Sequence, residues 1–201
     1  MDTHFKQELL AAAVGVLVGG LGMNMVLANS GQTLFPGAQE TVSEEYHIHA
    51  DFLIQTRDII HELGVAELMT TREQELHKHA HLHDDNGDVL HMHHENISFV
   101  EFLDSINISL MEDCLTIDLE TYCTNETESL VLFVNGERWP HSLKDYVPQD
   151  LDRVLLYFGT LEETPINTYL EAVPDEACIY SGSCPERGIA PPESCGLTCE
   201  L

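Results

Sequence analysis

Positive charge is what this sequence has least of. Eight Lys plus Arg stand against 35 Asp plus Glu, a formal net charge of -27 over 201 residues. Such a surface repels phosphate backbones and anionic headgroups and draws in cations through its summed field, so no nucleic-acid partner is expected. Its other meaning is a solubility adaptation. Catalytic signatures are missing too. There is no Gly-x-Ser-x-Gly elbow, no phosphate loop and no His-Glu-x-x-His, which removes the usual starting points for acyl transfer, nucleotide chemistry and zinc proteolysis. Without a Cys-x-x-Cys, thiol exchange has no motif behind it. Hydrophobic residues nevertheless make up 43% of the chain, a normal share for a folded protein. The length allows one ordinary globular domain with tails.

Basic residues are absent between Lys6 and Arg57, and that gap holds the long apolar run, residues 9–28, whose only polar side chain is Asn24. About twenty apolar residues span a bilayer as a helix. With Lys6 ahead of the run, the positive-inside rule puts residues 1–8 in the cytoplasm and the body outside. The run exceeds the usual 7–15-residue signal core, which favours a retained transmembrane anchor; the alternative is a signal peptide cleaved after Ala28. Both send the body out of the cytoplasm, to a periplasmic or cell-surface location, with the membrane as a partner through the N-terminal helix. Cysteine occurs only beyond residue 113 (Cys114, Cys123, Cys178, Cys184, Cys195 and Cys199), and in an oxidising compartment these residues are disulfide candidates. Cys114 with Cys123 is one expected pair. The last four lie in a Gly/Pro/Ser-rich tail, as two disulfides or, alternatively, a four-thiolate metal site.

What the chain has in abundance is histidine. Eleven of its twelve histidines fall between His47 and His141, nine of them in the clusters His47/His49, His77/His79/His81/His83 and His91/His93/His94. Alternate residues of a strand share a face, so His-x-His on a strand presents a row of imidazoles. Tyr46 to Gln55 suits such a strand, with His47, His49 and Asp51 on one face and Ile48, Ala50 and Phe52 on the other. Asp84-Asp85-Asn86-Gly87-Asp88 is turn chemistry. A three-residue loop, Asp85-Asn86-Gly87 with Gly87 at positive φ, sets His81 opposite His91, His79 opposite His93, Leu82 opposite Leu90 and Ala80 opposite Met92. One face of that hairpin is apolar and the other nearly all histidine, and such consistency selects the register.

Neutral imidazole suits zinc, copper and nickel. The expected metal ligands are His79, His81, His91 and His93, with His47 and His49 next. Asp51, His83 and Glu95 are expected as further ligands or as acceptors for the second ring nitrogen. Copper or zinc leads, with nickel as the third choice. Calcium does not fit, because Val89 stands where an EF-hand loop starting at Asp84 needs glycine. Met92, between two of the histidines, is phased toward the core.

The remaining elements complete a coarse fold. Arg57 to Glu75 is ambiguous between a strand with a turn at Gly64 and a short helix. Asn96 or Ser98 can cap a helix through Phe99, Phe102, Leu103 and Ile106. Strands are expected over residues 114–120, 129–135 and 152–159, with Asn135-Gly136 as a tight turn. The expected architecture is α+β, a mixed or antiparallel sheet with one packed helix. A linker covers residues 29–44, the His-rich metal-binding domain residues 45–164, and an irregular Cys-rich tail residues 165–201.

SFVEFLDSI, LVLFVNGERW and DYVPQDLDRVLLYFG resemble the helix and closing strands of ubiquitin-like β-grasp domains, which implies a β-grasp-like sheet. No C-terminal Gly-Gly accompanies them, so a protein-tag role does not carry over. HIHADF, HLHDDNGDVLHMH, VPQDLDRVLLYFG and CIYSGSCPERG resemble a family of uncharacterised, single-anchor, His-rich extracytoplasmic proteins of bacteria and archaea, a resemblance that brings no activity with it. The expected function is therefore metal binding for sequestration, delivery or sensing, with no catalytic residues assigned. The rivals are a metal-dependent hydrolase on the same scaffold and a structural or adhesive envelope domain.

Overall fold

The computed structural model describes residues 46–161 and 163–193. The expected cytoplasmic stretch 1–8, anchor 9–28 and linker 29–44 lie outside them, as do Cys195 and Cys199. No helix among the described residues is long and apolar enough to cross a membrane.

The fold is α+β. Its main sheet begins with β1 (Ile48–Thr56), to which the short β2 (Ile59–Ile60) is paired. A 3-10 turn at Ala66–Leu68 follows, so the ambiguous segment after Arg57 holds both a strand and a helical turn. Next come β3 (Ala80–His81) and β4 (Val89–Met92), then α1 (Phe99–Ser105). A separate three-stranded sheet is built from β5 (Ser109–Leu110), β6 (Cys114–Ile117) and β7 (Glu120–Cys123), in that order. The chain then returns to the main sheet with β8 (Ser129–Val134), β9 (Glu137–Arg138) and β10 (Arg153–Gly159). The main sheet runs β3-β4-β1-β10-β8-β9, parallel between β1 and β10 and antiparallel elsewhere.

Strand alternation gives the sheet two different faces. Ala50, Phe52 and Ile54 of β1 face α1 and the larger core, together with Ala80, Leu82, Leu90 and Met92. Helix α1 starts at Ser98, whose Oγ accepts from Glu101 N, and it buries Phe99, Phe102 and Leu103, the spacing of one helical face. Phe52 meets the rings of Phe99 and Phe102 edge-on. Met92 is 1% exposed in this core, as its phase requires.

The opposite face carries His49, Asp51, Leu53 and Gln55. Over β10 and β8 it is apolar and is covered by a helix, α2 (Glu163–Ala172), through Ile166 and the nearby Val173. Helix α3 (Ala177–Tyr180) follows. These two helices correct the expectation of an irregular tail from residue 165. Pro165 reads as a breaker in the sequence, but it falls in the first turn of α2, where the missing N–H costs no intrahelical bond.

The His-rich hairpin adopts the register that face consistency selects, Ala80 opposite Met92 and His81 opposite His91, with His93 N donating to His79 O. The turn itself differs from expectation. Positive φ belongs to Asp84 and Asp85, not to Gly87, and Asn86 Oδ1 accepts from the amides of Asp88 and Val89. Gly87 is required for another reason. A Cβ there would lie 2.2 Å from Gly64 N and 2.4 Å from the Leu63 carbonyl carbon, backbone atoms that cannot swing aside.

Two disulfides join described residues. Cys114–Cys123 links directly opposed positions of β6 and β7, as expected. Cys178–Cys184 closes the loop after α3. The four-thiolate metal site is thereby overturned, since two of its sulfurs are bonded to each other. Two disulfides fit an oxidising, extracytoplasmic compartment.

Candidate metal centre

Three neighbouring strands bring the imidazoles together. His49 is on β1, His91 opposes it on β4, and His81 opposes His91 on β3. His47, His83 and His93 flank these positions. Ring centroids are 4.6 Å apart for His49 and His91, 3.7 Å for His83 and His91, 4.2 Å for His47 and His93, and 5.1 Å for His81 and His93.

The chain after β10 closes over this row. Asp51 accepts from Glu176 N at 2.7 Å and from Ala177 N at 3.0 Å, which fastens the start of α3. Arg153, opposite Asp51 on β10, donates to the carbonyls of Pro174 and Val173. Asn86, in the hairpin turn, donates to Tyr180 Oη. Tyr180 then lies edge-on to His91, and Glu193 arrives among the imidazoles. Nε2 of His47 and Nε2 of His49 are each 3.3 Å from a Glu193 carboxylate oxygen, and His91 Nδ1 is 3.6 Å away. One donor atom each from His47, His49, His91 and Glu193 lie within 4.8 Å of one another. A tetrahedral ion with bonds of about 2.1 Å sets its ligand atoms roughly 3.4 Å apart, so small side-chain rotations would draw these four onto an ion.

Hydrogen bonds behind the rings fix which nitrogen can bind. His49 Nδ1 is 2.8 Å from Ser181 Oγ, and that hydroxyl donates to Asp150 Oδ1 at 2.6 Å. Ser181 must therefore accept from His49 Nδ1–H, which leaves Nε2 as the lone-pair nitrogen turned to Glu193. His83 Nδ1 is held at 2.8 Å by Asp84 Oδ2, and His81 Nδ1 at 3.3 Å by the His77 carbonyl. A second ring nitrogen tied to a carboxylate, carbonyl or hydroxyl is the usual support of a metal-binding histidine. Among the described residues, Nε2 of His47 and of His83 and both ring nitrogens of His91 are buried without a hydrogen-bond partner. A buried bare nitrogen costs about 1–3 kcal/mol, which an ion would offset.

The rings are held neutral. Burial is the main cause that lowers His81 to about 4, His93 to about 3 and His91 well below an ordinary imidazole, and it lowers His83 as well. Burial works against the charge of Glu193, but the close approach of His47 and His49 and the field of His91 hold its carboxyl far below the usual range. A neutral imidazole, as at His81, His83, His91 and His93, and an ionised carboxylate are the ligand states of the two groups.

A prediction for the metal-free protein follows. Below about pH 6.5 the unfolded chain takes up imidazole protons that the native rings refuse. Native stability is thus complete above that pH and falls as acid is added, until His81 titrates near 4 and His93 near 3. His81 alone gives a slope approaching 1.4 kcal/mol per pH unit. Urea unfolding of chelator-stripped protein at pH 7, 6 and 5, above most carboxylate titration, should show midpoints that drop with each step. Equal midpoints would mean that the rings are not held neutral.

Of the residues expected at the site, the structure brings His47, His49 and His91 to Glu193, with His81, His83 and His93 against them. His79 stands apart, its ring beside His77 and His94. The reason is local: β3 begins only at Ala80, and His77 Nδ1 accepts from the amides of His79 and Ala80, which bends the chain out of strand alternation. Asp51 fastens α3, and Glu95 is exposed. Glu193, Ser181 and Asp150 were not anticipated. Their only sequence signal is that they are polar residues in a chain with many. Comparison of the chain with protein-family models, with curated proteins and with solved structures found no match.

Proposed function

We propose that the chain is a membrane-anchored, extracytoplasmic protein that binds a transition metal for sequestration, delivery or sensing. The observation that carries this reading is the convergence of His47, His49, His91 and Glu193, with Ser181 and Asp150 setting the tautomer of His49. Nitrogen and carboxylate donors without sulfur suit zinc, divalent copper or nickel. The described cysteines are bonded in pairs and Met92 is in the core, so no soft donor recommends monovalent copper. The acidic surface gathers cations around the site.

Holding an ion is favoured over hydrolysis by burial. His49, His83 and His91 are at most 2% exposed beneath α3 and the chain leading to Glu193, and a catalytic ion needs an open coordination position. Convergent rather than scattered histidines also weigh against a purely structural or adhesive role. The order of the main sheet, with first and last long strands parallel at its centre and α1 across one face, supports the β-grasp-like resemblance.

The test is metal content. Full-length protein without a histidine tag, made in an oxidising compartment, should retain near-stoichiometric zinc, copper or nickel by elemental mass spectrometry. A His49→Ala/His91→Ala variant should lose it. Protein that arrives empty and takes up ions only weakly would overturn the reading.

A further inference from the structure

Glu193 meets more imidazoles than one ion would use. Its Oε1 lies 3.3 Å from His49 Nε2 and 3.6 Å from His91 Nδ1. Its Oε2 lies 3.3 Å from His47 Nε2 and 3.9 Å from His83 Nε2. Each oxygen of a single carboxylate therefore faces its own pair of ring nitrogens.

His83 is the unexplained member. Its side chain is fully buried, yet it stands outside the tight group of four donors. Nδ1 is committed to Asp84, and Nε2 is buried with no hydrogen-bond partner. An apolar side chain would fill the same space without leaving a bare nitrogen. A ring oriented by a carboxylate, with its other nitrogen aimed at a second carboxylate, is arranged as a ligand.

Resting on the metal-binding reading, we propose that the centre takes two first-row transition ions bridged by Glu193. One ion is held by His49, His91 and Glu193 Oε1, the other by His47, His83 and Glu193 Oε2. Ions that share ligands in this way sit about 3.5–4 Å apart. Charge is supplied where two cations need it. Besides Glu193, Asp84 stands behind His83 and Asp150 stands behind His49 through Ser181, so each half of the centre has its own backing carboxylate.

The test uses the full-length, untagged, chelator-stripped protein in mild detergent. Zinc titration read by native mass spectrometry should stop at two ions per chain, and at one in His83→Ala. Loaded with divalent copper, the parent chain should give a spin-coupled electron paramagnetic resonance spectrum, with a half-field transition or lost intensity. Glu193→Gln should restore the isolated-ion signal. A parent chain that stops at one zinc overturns the two-ion centre and leaves the metal-binding reading intact. Two ions with an uncoupled copper spectrum overturn it as well, because they would occupy unconnected sites. Retention of no ion sinks both readings. If His83→Ala fails to fold by circular dichroism, the parent's copper spectrum decides alone.

Discussion

His49→Ala is expected to weaken zinc binding by more than about 100-fold, and Ser181→Ala by about 10–100-fold although it removes no ligand. The second figure is the informative one. Ser181 touches His49 Nδ1, on the side of the ring away from Glu193, and passes the contact on to Asp150. Without that acceptor, the ring is free to put its proton on Nε2, the atom that would have to bind the ion. A sticky patch of histidines would not register the change, because every ring would still be present. His141→Ala serves as the control, since His141 is exposed and packs on Trp139; it should leave affinity unchanged. Isothermal titration of the metal-free variants measures the series. A small, equal loss for every histidine removed, with none for Ser181→Ala, would show adventitious binding.

The second large effect is thermal. A ligand that binds only the native state at a thousand times its dissociation constant adds about 4 kcal/mol of stability. For a domain of this size each kcal/mol raises the melting temperature by roughly 2–4 °C, so zinc should raise it by about 8–16 °C at most. Binding to an unfolded, His-rich chain would reduce the gain. Glu193→Gln should remove most of the increment, since the substitution takes away the carboxylate charge that His47, His49, His83 and His91 share. Differential scanning calorimetry over a range of zinc concentrations checks this. A melting temperature that ignores zinc in the parent, or a full increment in the variant, would remove Glu193 from the centre.

The parts of the fold that were legible in the sequence are those encoded over short distances. Alternation in His47 to Gln55 sorts β1 into a histidine face and a core face, and the apolar residues of the hairpin fix its register. Ser98 followed by Glu101 marks the start of α1. The chemistry of the hairpin turn was less legible, because Gly87 suggests positive φ while its actual constraint is the approach of Leu63 and Gly64, a contact between segments more than twenty residues apart. The roof over the histidines was not legible at all. Glu193 lies 144 residues from His49, and nothing near it in sequence distinguishes it from the other acidic residues. The same holds for Ser181, which only the folded chain places between His49 and Asp150.

The parallel pairing of β1 with β10 has a consequence for when an ion can be captured. Asp51 and Arg153 sit side by side from opposite ends of the domain, and Glu193 arrives later still. Such non-local pairings are the slow, late events of folding. A chain whose last segment has not yet folded can form the histidine hairpin but lacks Glu193 at the centre. On the metal-binding reading, the candidate centre is complete only once the last segment has folded, and an ion held there would be drawn from the place where folding ends.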